Sequence, residues 1–445
     1  MYGFEYKLLA IVFSVMMLVQ AFVIRLAVGT YIIPAAIFSL AWFVYTFFPL
    51  VILFNVPINP FSILYIFLCT LAFSLSALPF NWSNAFKANE TKKSVCEPQL
   101  DSKFIRCCLY ISIVLSIVFS TYSMVLNGYD LKSIFFDPIA TSGRFAAMRG
   151  TKGLEYGIIG TLSVFFTYIA PVLGGFVSYS QKTRSWKMVF LALSLTPALY
   201  IMVTQSSKLV LFVASSLYLA SILLMKIYAG KTNLFKISYM PKSIGIIFLL
   251  LPLVLISFIS REGYFDSGNL SRTIGLLRFA ITSYTLGEIY AFSDFFSFYV
   301  GMESVSTFLD DFNSFGYYTF ASIFNTFGIT RVFSPGIYME TGHFDNVFET
   351  NIFTIFRGLI YDFGGLGSFI FIFCFGLVVH AFFYRLLSRQ NSRLASVVFI
   401  TSIVFIVTSY LFSVFLARYM FLNGLGLYII LLVNSKLTKN SETYN

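Results

Sequence analysis

Charged residues are scarce in this chain, since Asp, Glu, Lys and Arg make up only 11% of its 445 residues. A soluble protein carries roughly a quarter. Hydrophobic residues make up 58%, and the mean hydropathy is +0.83. A water-soluble fold could not bury so much apolar surface. The apolar runs match the length of a bilayer-crossing helix and lack the alternation of barrel strands. The sequence therefore predicts an all-α, polytopic transmembrane helical bundle.

Histidine and cysteine are also scarce, which removes most metal and redox chemistry from consideration. The two histidines are His343 and His380, and the five cysteines show neither a metal-ligand spacing nor a disulfide framework. Glu340, His343 and Asp345 match no recognised zinc or calcium spacing. The chain holds no Walker loop, dinucleotide fingerprint or Ser-His-Asp set. We therefore expect no metal, no cofactor and no bound nucleic acid.

Long apolar runs predict about eleven spans. They cover residues 8–24, 30–54, 61–80, 105–126, 155–179, 188–204, 209–229, 243–260, 364–386, 394–415 and 420–434. We interpret the first as a retained span, because another apolar run follows it without a cleavage pattern. Lys and Arg of short loops concentrate on the cytoplasmic side. This rule predicts an outer N-terminus, an inner C-terminus, and outer segments 127–154, 205–208, 261–363 and 416–419.

The predicted outer segment 261–363 is unusually long and rich in Phe and Tyr. A structureless loop of this length is uncommon and usually functional. We expect short amphipathic or re-entrant helices there, within a single integral membrane domain that covers residues 1–445. A hidden pair of spans within 273–330 would change the span count. The lack of a visible internal repeat weakens a transporter built from repeats.

Lysine and arginine divide differently between the two predicted sides. Twelve of the sixteen lysines lie inside, whereas eight of the fourteen arginines lie outside. A guanidinium offers a planar fork of donors that suits phosphate or carboxylate. This excess indicates a membrane enzyme that acts on a lipid-linked phosphate or an acidic sugar. The alternative is that these arginines reach lipid headgroups or pair with loop carboxylates. They are Arg144, Arg149, Arg261, Arg272, Arg278, Arg331, Arg357 and Arg418.

Two segments ahead of predicted spans supply candidate ligand-binding residues. Arg144 and Arg149 lie in GRFAAMRG, whose glycines let a backbone approach a ligand closely. Arg149 and Gly160 also form an R-x10-G spacing, although a basic loop capping a span explains it equally well. Lys208 opens a span on the predicted outer face, where its ammonium either reaches the headgroups or points into an external cavity.

The start of the long outer segment holds a second pair of arginines. Arg272 and Arg278 lie six residues apart, so a bend is needed to bring both onto one ligand. Tyr284 and Glu288 lie four residues apart and can share a helix face.

The end of the long outer segment places polar residues at the mouth of a predicted span. Such residues are costly there unless satisfied, so we expect Asn351, Thr354, Arg357 and Asp362 to bond one another or a ligand. His343 lies just upstream and suits general acid–base chemistry.

TNIFTIFRGLIYDFGGLG (350–367) is similar to the N-x-[YF]-T…DFG…G pattern of the bacterial O-antigen polymerases, the Wzy-type oligosaccharide repeat-unit polymerases. The segments PAAIFSLAWFVYTFFPLVI, RFAAMRG, QSSK and ITSYTLGEIYAF also resemble this family. The resemblance implies a GT-C-like fold and a metal-independent glycosyltransferase of the bacterial inner membrane. Such an enzyme joins oligosaccharide repeat units carried on undecaprenyl pyrophosphate at the periplasmic face.

The resemblance also implies roles for residues and partners. Arginines of two outer loops, here Arg144 with Arg149 and Arg272 with Arg278, would stabilise the pyrophosphate leaving group. The base for the acceptor hydroxyl stays open among four residues. The implied partners are the lipid-linked oligosaccharide, membrane lipid and a chain-length regulator protein. Further candidate substrate contacts are Lys208, Tyr284, Arg331, Asn351, Thr354 and Arg357, and the candidate catalytic residues are His343, Glu349, Asp362 and Glu288.

Three other functions stay open at this point. An O-antigen ligase uses the same donor with a different acceptor, and a large outer loop suits it too. A flippase of the same lipid-linked unit handles a similar anion, but the long outer segment and the lack of two related halves argue against it. A structural subunit of a polysaccharide export complex would leave the outer arginines unexplained.

Overall fold

Helices dominate the computed structural model, which describes residues 3–91, 98–152, 157–232, 270–301, 308, 314–329, 338, 340–344, 347–388 and 392–443. The helices are α1 (Phe4–Val28), α2 (Pro34–Ile52), α3 (Pro60–Leu75), α4 (Trp82–Thr91), α5 (Lys103–Leu126), α6 (Leu131–Phe136), α7 (Pro138–Lys152), α8 (Ile158–Ser180), α9 (Arg184–Gln205), α10 (Lys208–Tyr228), α11 (Leu270–Thr285), α12 (Glu288–Tyr299), α13 (Tyr317–Thr326), α14 (Ile355–Ser388), α15 (Arg393–Thr408) and α16 (Arg418–Thr443). Two short strands, β1 (Gly342–Phe344) and β2 (Phe348–Thr350), precede α14.

Eight helices in the described ranges are long and apolar enough to cross a membrane. They are α1, α2, α5, α8, α9, α10, α14 and the apolar part of α16. Helices α3 and α15, at the predicted spans 61–80 and 394–415, are apolar but shorter. The predicted span 243–260 lies outside the described residues. The protein is thus a multi-pass helical membrane protein, while the number of spans stays a prediction.

The chain forms two compact units, and the single domain expected from the sequence stays a prediction. The first unit consists of residues 1–88, 278–388 and 402–418. In it α1 packs on α2 and α3, and α3 packs on α14 and α12. Lys7 of α1 is buried and donates hydrogen bonds to the carbonyl oxygens of Leu53 and Val56 and to the hydroxyl of Tyr290, at 2.9, 2.7 and 2.7 Å.

The second unit consists of residues 89–277, 389–401 and 419–445. Helix α8 packs against α5, α9 and α10. Gly174 and Gly175 of α8 lie against Ser194 of α9 and Ser221 of α10, where an added Cβ atom would overlap the serine side chains. Small residues let helix backbones approach closely, which is how helices associate in lipid.

Helix α14 bends sharply at Gly364, whose φ of 69° and ψ of 175° are accessible essentially only to glycine. A straight helix of its 34 residues would be about 51 Å long, far more than the roughly 30 Å of bilayer hydrocarbon. Tyr299 and Tyr65 hold the bend, since the Tyr299 hydroxyl accepts from the Gly365 N–H at 2.8 Å and the Tyr65 hydroxyl donates to the Gly365 carbonyl at 3.2 Å. The bend separates the polar start of α14 from its apolar remainder.

Short elements fill the described parts of the long segment 261–363. Helices α12 and α13 have 12 and 10 residues, too few to cross a bilayer, and this matches the expectation of short helices. Strands β1 and β2 form an antiparallel hairpin that the sequence analysis did not predict. Phe344 and Phe348 stack across the hairpin with ring centroids 4.7 Å apart, and both rings contact Tyr290 of α12.

Candidate active site

Arg357 lies in the first turn of α14 and is only 1% exposed. At the start of this helix the Ile355 N–H donates to the carbonyl oxygen of Ser409 at 3.0 Å, and the Arg357 N–H donates to the carbonyl oxygen of Thr354 at 3.2 Å. Burial of an arginine is expensive unless its charge and its N–H donors are satisfied. Its surroundings therefore decide what this side chain does.

Five aromatic rings surround the guanidinium, and we call them the aromatic cage. Faces of aromatic rings attract cations, so the cage stabilises a charge that has lost its water. The nearest two rings belong to Tyr338 and Phe353, with centroids 3.8 and 4.0 Å from the Arg357 Cζ atom. The other three are Phe295 at 5.1 Å, Phe308 at 5.1 Å and Tyr361 at 5.4 Å.

The hydrogen bonds of Arg357 are incomplete within the described residues. Nη2 donates to Oε1 of Glu340 at 2.9 Å and to the Tyr361 hydroxyl at 3.3 Å. Nε and Nη1 are buried and have no partner among the described residues, and neither has the buried Thr354 hydroxyl. A buried donor without a partner costs about 1–3 kcal/mol. Arg357 Nε, Arg357 Nη1 and the Thr354 hydroxyl can therefore each donate to an additional acceptor at the start of α14.

Glu340 is the more accessible member of the ion pair, with a side chain 13% exposed against 1% for Arg357. Tyr338 of the aromatic cage stays a neutral phenol, because burial raises its pKa above the ordinary value more than the Arg357 charge lowers it. The charges at the cage are therefore the Arg357 cation and the Glu340 anion, and Glu340 is the more accessible of the two.

A small cavity of about 10 Å³ adjoins the aromatic cage at Thr354. This is close to the volume that a single water occupies. Its wall combines aromatic rings with hydroxyl groups. The lining residues are Tyr318, Thr319, Tyr338, Phe353, Thr354, Ile355, Gly358, Leu411, Phe412, Ser413 and Leu416.

Asp362, also before the bend in α14, is buried and fully occupied by donors. Its carboxylate accepts from the Ser314 hydroxyl, from the Tyr318 N–H at 2.8 Å and from the Thr319 hydroxyl at 2.6 Å. Two of these donors lie in the first turn of α13, where a negative charge complements the helix dipole. Asp362 thus ties α13 to α14.

His343 and Glu349 form a pair on the exposed face of the hairpin. They are direct cross-strand partners, and His343 Nδ1 lies 2.9 Å from Glu349 Oε1. Their side chains are 68% and 50% exposed. Side chains alternate along strands, so the opposite face of the hairpin carries Phe344 and Phe348 against α12. The structure therefore joins two of the four predicted catalytic residues.

Glu288, the fourth predicted catalytic residue, is the first residue of α12 and is only 1% exposed. Burial raises its pKa well above the ordinary value, so the neutral acid is favoured. Its Oε2 atom has no hydrogen-bond partner in the described part of the chain. Tyr284 was predicted to share a helix face with Glu288, but it lies on the preceding helix α11, which ends at Thr285. Its side chain is half-buried.

The remaining arginine and lysine candidates lie on other helices. Arg144 and Arg149 both lie on α7, and Arg144 is exposed. Lys208 is the first residue of α10, and its Nζ atom is buried. Arg272 and Arg278 both lie on α11, and Arg278 is exposed.

Two candidates remain. Arg331 lies outside the described residues. Asn351 is exposed, and among the described residues its side chain and that of Thr354 do not bond the side chains of Arg357 or Asp362, as was expected at the span mouth. Arg357 and Asp362 instead bond residues from upstream elements.

Neither Glu340 as the partner of Arg357 nor the rings of the aromatic cage were predicted from the sequence. Glu340 was considered only as a metal ligand. A charge pair with a separation of 17 residues leaves no periodic pattern to find. The stretch was recognised as rich in Phe and Tyr, but no ring in it was assigned to a cation. Searched among the described residues, no group of three or more His, Cys, Asp or Glu could hold a metal ion.

Comparisons with protein-family models, with curated proteins and with solved structures found no match to this chain.

Proposed function

We propose that this protein polymerises oligosaccharide repeat units carried on undecaprenyl pyrophosphate, at the periplasmic face of the bacterial inner membrane. The product is O-antigen or a related surface polysaccharide. The proposal rests on the resemblance of residues 350–367 to the O-antigen polymerases and on the excess of arginine in the predicted outer segments.

The observation that carries the proposal is the state of Arg357, in the segment that bears the resemblance. Its guanidinium is buried in an aromatic cage, and two of its nitrogens have no partner among the described residues. Once Glu340 releases Nη2, this nitrogen forms a planar fork of donors with Nε or with Nη1, and such a fork suits a phosphate. The N-terminus of α14 adds the partial positive charge of its helix dipole and the Thr354 hydroxyl.

In the proposed reaction, the growing glycan moves from its lipid carrier to the non-reducing end of an incoming lipid-linked unit. The acceptor hydroxyl attacks the anomeric carbon, and undecaprenyl pyrophosphate leaves. Arg357 supports the departure by holding negative charge that develops on the pyrophosphate. Glu340, the more accessible member of the ion pair, exchanges with the phosphate, so the charge of Arg357 is balanced before the substrate binds and after it leaves.

The first test is the surface polysaccharide of a strain that lacks this gene, resolved on a gel. Collapse of the ladder to core plus a single repeat unit supports a polymerase, because units still cross the membrane and reach their acceptor. Loss of even the single unit points to a flippase or a ligase. An unchanged ladder contradicts the proposal.

The second test complements this strain with Arg357→Lys, which keeps the charge but removes the planar fork. We expect the ladder to collapse while the protein stays in the membrane at wild-type level. Arg106→Lys is the matched control, since Arg106 forms an exposed ion pair with Asp101 at 2.8 Å and should keep the full ladder. A full ladder from Arg357→Lys would remove the assignment of the fork.

A further inference from the structure

We propose that His343 accepts the proton of the acceptor hydroxyl and that Glu349 is the positioning residue that holds its imidazole. This inference rests on the proposed function and assigns the base that the sequence left open among four residues. It follows from how the structure places those four side chains.

Two of the four residues are unsuited to receive a proton from a substrate hydroxyl. Asp362 is buried and already accepts three hydrogen bonds, so a substrate would first have to displace Ser314, Thr319 or a backbone N–H. Glu288 is 1% exposed, and its burial favours the protonated form, which has no free capacity to take a proton. The remaining candidates for the base are His343 and Glu349 of the hairpin.

The hairpin presents His343 in the form that general bases take in enzymes. Nδ1 lies 2.9 Å from the Glu349 carboxylate, which favours the tautomer with its proton on Nδ1 and leaves the Nε2 lone pair for a substrate. Nε2 hydrogen-bonds no residue of the described part of the chain. Phe344 and Phe348 dock the other face of the hairpin on Tyr290, so the imidazole stands on an anchored element.

The backbone puts this pair beside the proposed anion site. Glu340, the ion-pair partner of Arg357, precedes His343 by three residues, which extended chain spans in at most about 10 Å. Glu349 and Arg357 lie on the returning strand and the start of α14. The hairpin that carries the base is thus flanked in the chain by Glu340 on one side and by Arg357 of α14 on the other.

The step balances without any further reactant. His343 Nε2 takes the proton as the acceptor O–H bond breaks, and that oxygen forms the new bond to the anomeric carbon. The electron pair of the old glycosyl–oxygen bond leaves on undecaprenyl pyrophosphate. The imidazolium then returns its proton to solvent, to which the exposed ring has access.

The test measures polymerisation by the purified full-length protein, with undecaprenyl-pyrophosphate-linked repeat units extracted from a polymerase-deficient strain. His343→Gln should lower kcat about 100-fold or more with little change in KM, because general-base catalysis contributes about 10²–10⁴-fold. Glu349→Gln should lower kcat about 10-fold, and Glu349→Asp should restore much of it. The exposure of both side chains favours folding of the variants, which a monodispersity check confirms.

The kcat and KM values together separate catalysis from structure, because loss of the base should lower kcat with little change in KM. An active wild type with His343→Gln within threefold of its kcat would overturn the assignment, as would an increase in KM alone. A wild type that forms no polymer would instead contradict the proposed function.

Discussion

Removal of the Asp362 carboxylate should destabilise the first compact unit more than removal of any exposed carboxylate. Asp362→Ala leaves the Ser314 and Thr319 hydroxyls and the Tyr318 N–H without their acceptor. All three donors lie in a buried region, so water cannot replace the carboxylate at low cost. The perturbation acts on the junction of α13 with the polar start of α14.

The magnitude follows from the number and type of the lost hydrogen bonds. Each bond to a charged group contributes about 1.5–3 kcal/mol to stability. Bonds that share one carboxylate are not additive, so we expect a loss of about 4 kcal/mol rather than the full sum. This corresponds to a fall in Tm of roughly 10 °C for a cooperative unit of about 150–250 residues, the size class of the first compact unit. Asp362→Asn keeps one acceptor oxygen and should lose about half as much.

The assay is thermal unfolding of the purified protein in detergent. Asp101→Ala is the matched control, because it removes a carboxylate from the surface ion pair with Arg106 and should cost at most about 1 kcal/mol. In the background of Ser314→Ala with Thr319→Val, Asp362→Ala should cost clearly less than in the wild type. A Tm within about 2 °C of wild type for Asp362→Ala would refute this account of the junction.

Three further predictions concern the backbone and one buried acid. Gly364→Ala should lower stability by about 1–3 kcal/mol, because a side chain is strained at its φ of 69° and ψ of 175°. Gly275→Ala within α11 is the control and should raise stability by about 0.5–1 kcal/mol, and thermal melts of both variants in detergent check the difference. Gly175→Ala should cost about 1–3 kcal/mol through overlap with Ser221, and adding Ser221→Gly should recover part of the loss in the same melts. Burial raises the Glu288 pKa, so the contribution of Glu288 to stability is complete below about pH 4.5 and is lost as pH rises through the folded pKa. The Tm of Glu288→Gln should therefore exceed that of the wild type by a margin that grows with pH, and a margin that stays constant would contradict this linkage.

The helices could be predicted from the sequence because lipid imposes a length on each apolar run. Helices α5, α8 and α10 begin and end within a few residues of the predicted spans 105–126, 155–179 and 209–229. The runs at α3 and α15 were predicted too long, since apolar residues continue past the last helical turn. Apolar composition reports burial or contact with lipid, but it does not report where backbone hydrogen bonding stops.

The pairs that build the candidate site could not be predicted, because they join residues distant in sequence. Asp362 meets Ser314 and Thr319 across 48 and 43 positions, and no local pattern marks either contact. The His343–Glu349 pair did have a local signal, since polar residues alternate with Phe344 and Phe348. Strands of three residues are too short for such alternation to differ from chance.

The bend at Gly364 explains why polar residues gather at the start of a predicted span. The span predicted from the sequence begins at residue 364, so Arg357 and Asp362 were expected to lie near lipid and to need each other or a ligand. In the structure both lie on the turns of α14 before the bend, where protein side chains surround them. Asp362 is satisfied there by hydroxyls and a backbone N–H, whereas Arg357 keeps two nitrogens without a described partner. Because of that contrast between two buried charges five residues apart, we propose a structural role for Asp362 and substrate binding for Arg357.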